Sequence, residues 1–318
     1  MQASSAMSPQ PRAAFSTRAY QPEDEAAVID LWNRCLVRDT VTPQVFRRKV
    51  LLDPHFDPAG FRLAWHDAEL IGGCLAMGRA GLGGTTGWLR MIFVHPAWRR
   101  RGVGSRLLGE ALEYLRRAGK TQVQVAAGPN YFIPGVDLHA YAAAVPFFEA
   151  YGFVRGSESI SMDASLVQYE IPAEALQTEA RLRSEGIIVK LLEPGEILPL
   201  LEFLERAFPH WVEPARELLV WCTHGWADYD QFLIARASDG RVVGYCQYDG
   251  EHFGPFGVDP AMQGRGIGTV LLARCLERMR ARGYHSAWFM WTGERAARLY
   301  RRFGFVETRR YVSMRRTL

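Results

Sequence analysis

The amino-acid sequence predicts an α/β protein built from two similar domains in tandem, each a mixed central sheet flanked by helices. Two observations lead to this fold class. A glycine-containing loop followed by an amphipathic helix occurs at Gly102 and again at Gly266, 164 positions later. Short apolar runs typical of strands precede and follow both helices, which favours mixed α/β layers. The 318 residues leave room for two domains of ordinary size.

The elements before each loop are predicted to be helices followed by three strands, the last of which leads into the glycine loop. Residues 23–37 and 195–208 open the two copies and are predicted to be rich in helix. The first two strands are predicted at 62–64 and 70–77 in the first copy, and at 232–235 and 242–248 in the second. The run Leu-Ile-Gly at 70–72 recurs as Val-Val-Gly at 242–244, which supports the pairing of the two copies.

The helix after each loop gives the clearest sign of duplication. Its apolar face in the first copy recurs 164 positions later, and every member stays apolar. The two sets are Val103, Leu107, Leu108, Ala111, Leu112 and Leu115, and Ile267, Leu271, Leu272, Cys275, Leu276 and Met279. Gly119 and Gly283 stand just past the helices, where a left-handed C-terminal residue is expected. We interpret the chain as an internal duplication.

Each copy is predicted to end with a strand, a short helix and a closing strand. The strands after the long helices are predicted at 123–126 and 287–291, and the first copy has extra residues near 79–90 and within 127–142. The predicted organisation is a disordered tail at 1–15, a domain at 16–164, a linker at 165–185 and a domain at 186–318. The linker is placed by Pro172 and its many polar neighbours.

Composition restricts the function classes. Hydrophobic residues make up 48% and charged residues 23%, as in soluble globular proteins. No apolar run reaches about 18 residues, so no membrane span is expected, and a net charge of +4 is too small to indicate nucleic-acid binding. Five cysteines without CxxC spacing indicate core residues in a reducing compartment. We therefore expect a cytoplasmic monomer or homodimer without a metal site.

The glycine loops predict phosphate binding. They read Arg99-Arg100-Arg101-Gly102-Val103-Gly104 and Gln263-Gly264-Arg265-Gly266-Ile267-Gly268. Free N–H groups and the dipole of a helix N-terminus attract anions, and glycine lets an oxygen approach closely. The loops do not match a Rossmann fingerprint, because Leu107 and Thr269 stand where its third glycine is required. They do not match a Walker loop either, because the sequence Gly-Lys-Ser/Thr is absent. A plain tight turn into a helix is the alternative.

The order of motifs resembles the GCN5-related N-acetyltransferase (GNAT) family. Each loop follows Val-x-Pro, and the second helix is followed by Leu299-Tyr300-Arg301-Arg302-Phe303-Gly304-Phe305. The resemblance covers nearly all of residues 16–318 as two copies, so it implies a tandem member. It also implies direct transfer of an acetyl group from acetyl-CoA, or another short acyl-CoA, to the primary amine of a small molecule or peptide.

The resemblance assigns cofactor contacts in both copies. In this family the strand before the loop offers N–H groups to the thioester carbonyl, and the loop holds the pyrophosphate. In the first copy these positions are Ile92, Phe93, Val94, Arg99, Arg100, Arg101, Gly102, Val103, Gly104 and Ser105. In the second they are Phe256, Gly257, Val258, Gln263, Gly264, Arg265, Gly266, Ile267, Gly268 and Thr269.

The catalytic groups are predicted in the C-terminal copy. The family's general acid falls on Tyr300, whereas the first copy has Phe148, which cannot give a proton. The alternative is that both residues are only buried aromatic side chains that anchor the short helix. Asp249, Glu251 and His252 are candidate bases, and Glu251 is the first choice. Residues 84–94 of the first copy contain no carboxylate.

Several alternatives stay open at this point. The family often has an asparagine seven residues before the tyrosine, but here Gly293 and Tyr141 hold those positions. Tyr131 or Tyr141 are candidates for the missing acid of the first copy. Six residues of the second copy form either an acceptor pocket or packing against the other domain: Phe208, His210, Trp211, Trp221, His224 and Trp226. A non-catalytic acyl-CoA-binding or interaction protein is the alternative function.

Overall fold

The computed structural model describes residues 14–82, 84–128 and 133–318. These residues form two compact units. The first unit contains the chain up to Ser159 together with Arg310–Leu318, and the second contains Ile160–Arg309. Residues 1–13 of the predicted disordered tail lie outside the described residues.

The first copy contains four helices and seven strands among its described residues. In chain order they are β1 (Ser16–Ala19), α1 (Glu25–Cys35), α2 (Pro43–Phe46), β2 (Phe61–His66), β3 (Glu69–Met77), β4 (Thr86–Val94), α3 (Val103–Arg117), β5 (Gln122–Val125), β6 (Val136–Asp137), α4 (Ala144–Ala150) and β7 (Val154–Ser165). A π-helical turn at Arg47–Leu51 continues α2. The predicted helix and strands of this copy are therefore present, with boundaries shifted by a few residues.

In the part of the chain that the structure describes, the second copy repeats this order, with one additional helix at its start and without a counterpart of β6. Its elements are α5 (Ala173–Ser184), β8 (Ile188–Leu191), α6 (Ile197–Ala207), α7 (Val212–Thr223), β9 (Phe232–Arg236), β10 (Val242–Asp249), β11 (His252–Val258), α8 (Ile267–Ala281), β12 (Ser286–Thr292), α9 (Glu294–Arg301) and β13 (Val306–Thr317). Gly119 and Gly283 follow α3 and α8 with φ of 76° and 88°, as predicted for left-handed helix ends.

The two units have the same mixed sheet. In the first, β1 to β4 pair antiparallel in sequence order, β4 pairs parallel with β5, and β5 pairs antiparallel with β13. In the second, β8 to β11 pair antiparallel, β11 pairs parallel with β12, and β12 pairs antiparallel with β7. A separate core packs on each face of each sheet, so helices flank both faces.

The closing strands differ from the sequence expectation. Ile160–Ser165 of β7 pair with β12, and Arg315–Thr317 of β13 pair with β5, so each copy's last strand completes the sheet of the other unit. The predicted domain boundaries, 16–164 and 186–318, divide the chain by its sequence repeat and stay a prediction. The two compact units divide the chain by which residues pack together.

The stretch predicted as a linker contains a packed helix. Ala175 and Leu182 of α5 are buried in the core under α8. On its exposed side, Glu179 accepts hydrogen bonds from Arg274 of α8, with a closest N–O distance of 2.5 Å. Residues 173–184 are therefore a structural part of the second unit.

The cysteines are small core residues, as predicted. All five are free thiols, and four of them are buried, Cys35 being partly exposed. No helix among the described residues is both long enough and apolar enough to cross a membrane.

Candidate active site

A gap opens in each unit between its two parallel strands. β4 and β5 pair from Thr86–Gln122 to Leu89–Val125 and then separate. β11 and β12 pair at His252–Trp288 and separate beyond it. A bulge in β4 and in β11 accompanies the separation, because the register with the preceding strand shifts there.

Two backbone N–H groups of each strand before a glycine loop point toward the gap, at four of the six strand positions considered in the sequence. Asp259 N–H donates to Val243 of β10, and successive residues of a strand alternate sides, so the N–H groups of Val258 and Phe256 face the gap. His95 N–H donates to Ile71 of β3, which gives Val94 and Ile92 the same orientation. The N–H groups of Phe93 and Gly257 face the neighbouring strands instead.

The end of each gap strand is held in the same way in both units. Arg99 Nε donates to the carbonyl of Val94 at 3.1 Å, and Gln263 Nε2 donates to the carbonyl of Val258 at 3.3 Å. These two side chains therefore fix the strand that leads into the glycine loop. They were predicted as phosphate contacts, and the structure gives them a backbone partner as well.

The glycine loops present uncapped helix N-termini. Gly102 and Gly266 precede α3 and α8 with φ of 89° and 85°, and Arg100 and Gly264 are also left-handed, at 62° and 80°. The fourth helical N–H bonds back to the glycine carbonyl in each copy. The first three N–H groups have no intrahelical acceptor, and neither glycine provides a side-chain cap. The groups belong to Val103, Gly104, Ser105, Ile267, Gly268 and Thr269.

The second loop also packs against α5, a contact that the sequence analysis missed. Arg181 donates to the carbonyl of Arg265 at 2.6 Å, and the Arg265 guanidinium pairs with Glu185. Hydrogen bonds from Arg265 and Arg181 lower the pKa of Glu185. A Cβ at Gly266 would lie 2.5 Å from Thr178 Cγ2. The Arg265 side chain is thus directed to Glu185 rather than presented freely at the loop.

Tyr300 lies beneath the gap of the second unit. Its ring centroid is 4.5 Å from that of Phe289 on β12 and 6.0 Å from that of Phe256 on β11, so it contacts both diverging strands. Burial raises the pKa of the phenol well above its ordinary value. The hydroxyl therefore stays protonated at neutral pH, as a general acid must.

Glu251 is not positioned as a base. Its carboxylate accepts hydrogen bonds from the N–H groups of His285 and Ser286, both at 3.0 Å, and from Ser286 Oγ at 2.7 Å. The Ser286 hydroxyl, followed by the two N–H groups, lowers the pKa of Glu251, and these donors already occupy both oxygens of its carboxylate. This geometry argues against the first-choice assignment, which stays a prediction to be tested by mutation.

His252 occupies the point where the strands separate. It is paired with Trp288 across the parallel ladder, and the two rings are 4.8 Å apart. Phe253 and Phe256 point into the core under α8, so His252 and Gly257 lie on the other face of β11. Burial lowers the pKa of the imidazole, which is therefore neutral at pH 7 and able to accept a proton.

The first copy lacks a matching acid within its described residues. Phe148 is buried at 2% exposure and packs on Phe147 and Phe153. The hydroxyl of Tyr141 accepts a hydrogen bond from the N–H of Arg38 at 3.1 Å. Tyr131, the other predicted substitute, lies outside the described residues.

The aromatic residues predicted near the acceptor divide into two groups. Phe208 and Trp211 stack at 4.3 Å and cover Gly257, where a Cβ would lie 2.6 Å from Phe208 Cζ and 2.8 Å from Trp211 Cζ3. His224 and Trp226 stack at 4.8 Å elsewhere, and Trp226 is 75% exposed. Trp221 is 41% exposed on α7 and His210 is also exposed. Only the first pair contacts the gap strand.

The described residues contain no group of three or more His, Cys, Asp or Glu side chains able to hold a metal ion. The groups that form the candidate site are backbone N–H groups, aromatic rings and the side chains of Tyr300 and His252.

Two diverging parallel strands, a glycine loop and a helix N-terminus in each unit define an acyltransferase fold, and family comparisons agree. Residues 197–305 match the model described as Acetyltransferase (GNAT) family, and residues 57–155 match that described as Acetyltransferase (GNAT) domain. The chain belongs to the GNAT family as a tandem, two-domain member, and it is an N-acetyltransferase.

Similar proteins extend this result over most of the chain. A mycothiol acetyltransferase of Sanguibacter keddieii is 30% identical over 247 residues, 71% of this chain and 73% of that protein. One of Clavibacter michiganensis subsp. michiganensis is 28% identical over 305 residues, 93% and 92% of the two chains. The tandem arrangement predicted from the sequence, similar to that of mycothiol synthase, is confirmed by this coverage.

A solved structure supports the fold. The GCN5-related glucosamine N-acetyltransferase region of a fungal multidomain β-N-acetylglucosaminidase superposes with a TM-score of 0.79 and 20% identity. The match covers 98% of this chain and 39% of that longer one. At this identity the likeness shows the fold alone.

Proposed function

We propose that the protein transfers an acetyl group from acetyl-CoA to the primary amine of a small molecule, with the chemistry in the C-terminal copy. The observation that carries the proposal is the position of Tyr300, whose ring contacts Phe256 and Phe289 on the two diverging strands. The relatives named mycothiol acetyltransferase support a small polar amine as the acceptor.

The residues present fit an acyl-CoA. The uncapped N–H groups of residues 267–269 and the positive φ of Gly266 suit a phosphate at the start of α8. The N–H groups of Phe256 and Val258 suit the carbonyl of a thioester in the gap. Acetyl-CoA, when bound, supplies an acetyl group activated as a thioester.

The proposed roles of the backbone follow from oxyanion stabilisation. As an amine attacks the thioester carbonyl, negative charge develops on its oxygen. The N–H groups of Phe256 and Val258 are fixed by the strand and need no reorganisation to stabilise that charge. Such N–H groups contribute most where water is excluded from the site.

The proposed proton transfers use two side chains on opposite sides of the gap strand. His252 takes a proton from the attacking amine, because its lowered pKa keeps the imidazole neutral. Tyr300 gives a proton to the departing sulfur, because its phenol is protonated at neutral pH and its ring contacts both diverging strands. We place the acceptor on the His252 face of β11, where Phe208 and Trp211 form one wall.

The decisive experiment measures acetylation of deacetylated mycothiol and of a panel of other small primary amines by mass spectrometry. The wild-type protein is expected to convert an acceptor with acetyl-CoA, and Tyr300→Phe is expected to abolish most of that turnover. Acetyl-CoA binding without conversion of any amine would favour the non-catalytic alternative. Turnover that survives Tyr300→Phe would place the chemistry in the first copy.

The cofactor assignment has its own test. Gly266→Glu adds bulk and negative charge at the start of α8 and is expected to abolish binding there by calorimetry. Because the new side chain would also meet Thr178, Gly102→Glu serves as the matched variant. A Cβ at Gly102 meets no described atom within 4 Å. Unchanged stoichiometry in both variants would contradict phosphate binding by the loops.

A further inference from the structure

A buried ion pair in the first unit lies at the edge of its gap. Arg90 Nη2 donates to Asp53 Oδ2 at 3.1 Å, and the two side chains are 1% and 0% exposed. The other carboxylate oxygen accepts the N–H of His55 at 2.8 Å. Removing two charges from water is costly, and the pairing with Asp53 offsets part of that cost for the guanidinium.

Arg90 stands where β4 and β5 part. It immediately follows the last parallel pair, Leu89–Val125, and it is the extra residue of the β4 bulge, because Leu75 pairs with Met91 and Ala76 with Leu89. A Cβ at Gly128 would lie 2.9 Å from Arg90 Nη2 and 3.2 Å from Cζ. The guanidinium therefore reaches from β4 to the chain that leaves β5.

The second unit has a glycine at the corresponding position. Gly254 is 164 positions after Arg90, the same spacing that relates Gly102 to Gly266. It lies in the β11 bulge with φ of 106°, and a Cβ there would meet no described atom within 4 Å. At this position β11 therefore places no side chain beside the gap of the second unit, whereas β4 places Arg90 beside that of the first.

From this difference we infer that the Arg90 side chain fills the first copy's gap where β4 and β5 begin to separate, so that an acyl group cannot enter there. We call the Arg90 side chain in this position the plug. The loop N–H groups of Val103, Gly104 and Ser105 remain available to phosphates, so this copy binds the nucleotide end of the cofactor without seating the acetyl group. The inference rests on the proposed function. It assigns Arg90 as the residue that prevents the first copy from recognising an acyl group.

The test compares the affinities of CoA and acetyl-CoA at the first-copy site. A Gly266→Glu background removes the second site, and calorimetry measures both ligands. With Arg90 present, the two affinities are expected to be equal, because the acetyl group makes no contacts. With Arg90→Gly and Asp53→Asn together, acetyl-CoA is expected to bind about fivefold more tightly than CoA, the value of one ordinary hydrogen bond.

Two matched variants separate the plug from its charge. Asp53→Asn alone retains the guanidinium and is expected to keep equal affinities. Arg90→Met with Asp53→Asn retains an uncharged side chain that lacks the guanidinium group lying against Gly128, and it is expected to prefer acetyl-CoA by less than Arg90→Gly does. If the background variant fails to fold, the titrations are made with Gly266 intact. The first-copy site is then the component of the isotherm that Gly102→Glu removes.

The outcomes are distinguishable. A wild-type first site that already prefers acetyl-CoA, or a folded Arg90→Gly, Asp53→Asn protein with equal affinities, overturns the plug. Loss of all CoA binding at the first site in every variant also overturns it, since the plug then has nothing to exclude. Turnover by proteins with intact Gly266 and Tyr300 reports separately on the proposed function.

Discussion

At the scale of single residues, the two copies differ in the identity of a few side chains at corresponding positions of the same motif. Tyr300 replaces the phenyl ring of Phe148, and Gly254 replaces Arg90 at the bulge. Burial raises the pKa of Tyr300, and burial also lowers that of His252, so each group is held in the protonation state that its proposed role needs.

Tyr300→Phe should lower kcat by about 10²–10⁴-fold, the usual contribution of a general acid. The affinity for acetyl-CoA should hardly change, because the phenyl ring keeps the contacts with Phe256 and Phe289. Steady-state kinetics with calorimetry measures both. Phe148→Leu is the control and should lower stability without affecting turnover. Full activity in Tyr300→Phe with loss in Tyr141→Phe would move the catalytic centre to the first copy.

His252→Asn should lower kcat/KM and remove the acidic limb of its pH profile. In the wild-type protein that limb should lie below pH 6.5, the ordinary value for histidine, because the lowered pKa delays protonation of the base. The rate is retained above the lowered pKa and lost as the pH falls through it. A pH–rate profile of both proteins measures this, and an unchanged limb in His252→Asn would exclude His252.

Glu251→Gln should leave turnover nearly unchanged and reduce stability, because the carboxylate holds the N–H groups at the start of β12. Because the pKa of Glu251 is lowered in the folded protein, its carboxylate stabilises the fold fully above pH 4.5, the ordinary pKa of a glutamate. This contribution disappears as the pH falls through the lowered pKa. Urea unfolding at several pH values measures the difference. A large loss of kcat in a stable Glu251→Gln protein would restore Glu251 as the base.

At the scale of elements, the second glycine loop is supported by a helix from outside the repeated motif. Thr178 of α5 touches the position of a Gly266 side chain, and Arg181 binds the loop carbonyl of Arg265. The corresponding loop at Gly102 has no such contact among the described residues. The same sequence motif therefore has two different surroundings.

Gly266→Ala should destabilise the protein more than Gly102→Ala. Both substitutions place a side chain in the left-handed region, which lowers the free energy of unfolding by roughly 1–2 kcal/mol. Only the side chain at position 266 meets Thr178, and this overpacking lowers it by about 1–3 kcal/mol more. Thr178→Ser removes the methyl group and should cancel that excess. Urea unfolding of the four single and double variants measures the coupling, and equal losses at both glycines would contradict the contact.

At the scale of the whole molecule, each sheet is completed by the closing strand of the other copy. Val312 and Met314 of β13 lie in the core of the first unit, whereas Ile160 and Met162 of β7 lie in that of the second. Duplication therefore produced two units that are not contiguous along the chain. Neither copy alone contains its complete sheet.

Met314→Ala should destabilise the first unit by about 2–5 kcal/mol, the usual cost of truncating a buried methionine. Met279→Ala on α8 is the matched control, because both side chains are 0% exposed. Hydrogen exchange should show faster opening of β5 in Met314→Ala and of β12 in Met279→Ala. Loss of protection in β12 alone for Met314→Ala would contradict the assignment of β13 to the first unit.

The sequence by itself determined the duplication, the fold class, the glycine loops with their helices, and the family. These features are local, because hydrophobic periodicity, left-handed glycines and loop motifs each depend only on residues that are close together in the sequence. The helical start of each copy, the three strands before each loop and the core position of the cysteines were all predicted from such patterns.

Only the tertiary structure decided the exchange of closing strands, the support of Gly266 by α5, the hydrogen bonds that occupy Glu251, and the Arg90–Asp53 pair. Each joins residues distant in sequence: 88 positions separate Thr178 from Gly266, and 37 separate Asp53 from Arg90. A charged residue in a loop has the same local pattern whether it binds a backbone amide or acts as a base. Packing fixes its partners, and the partners set its pKa and its role.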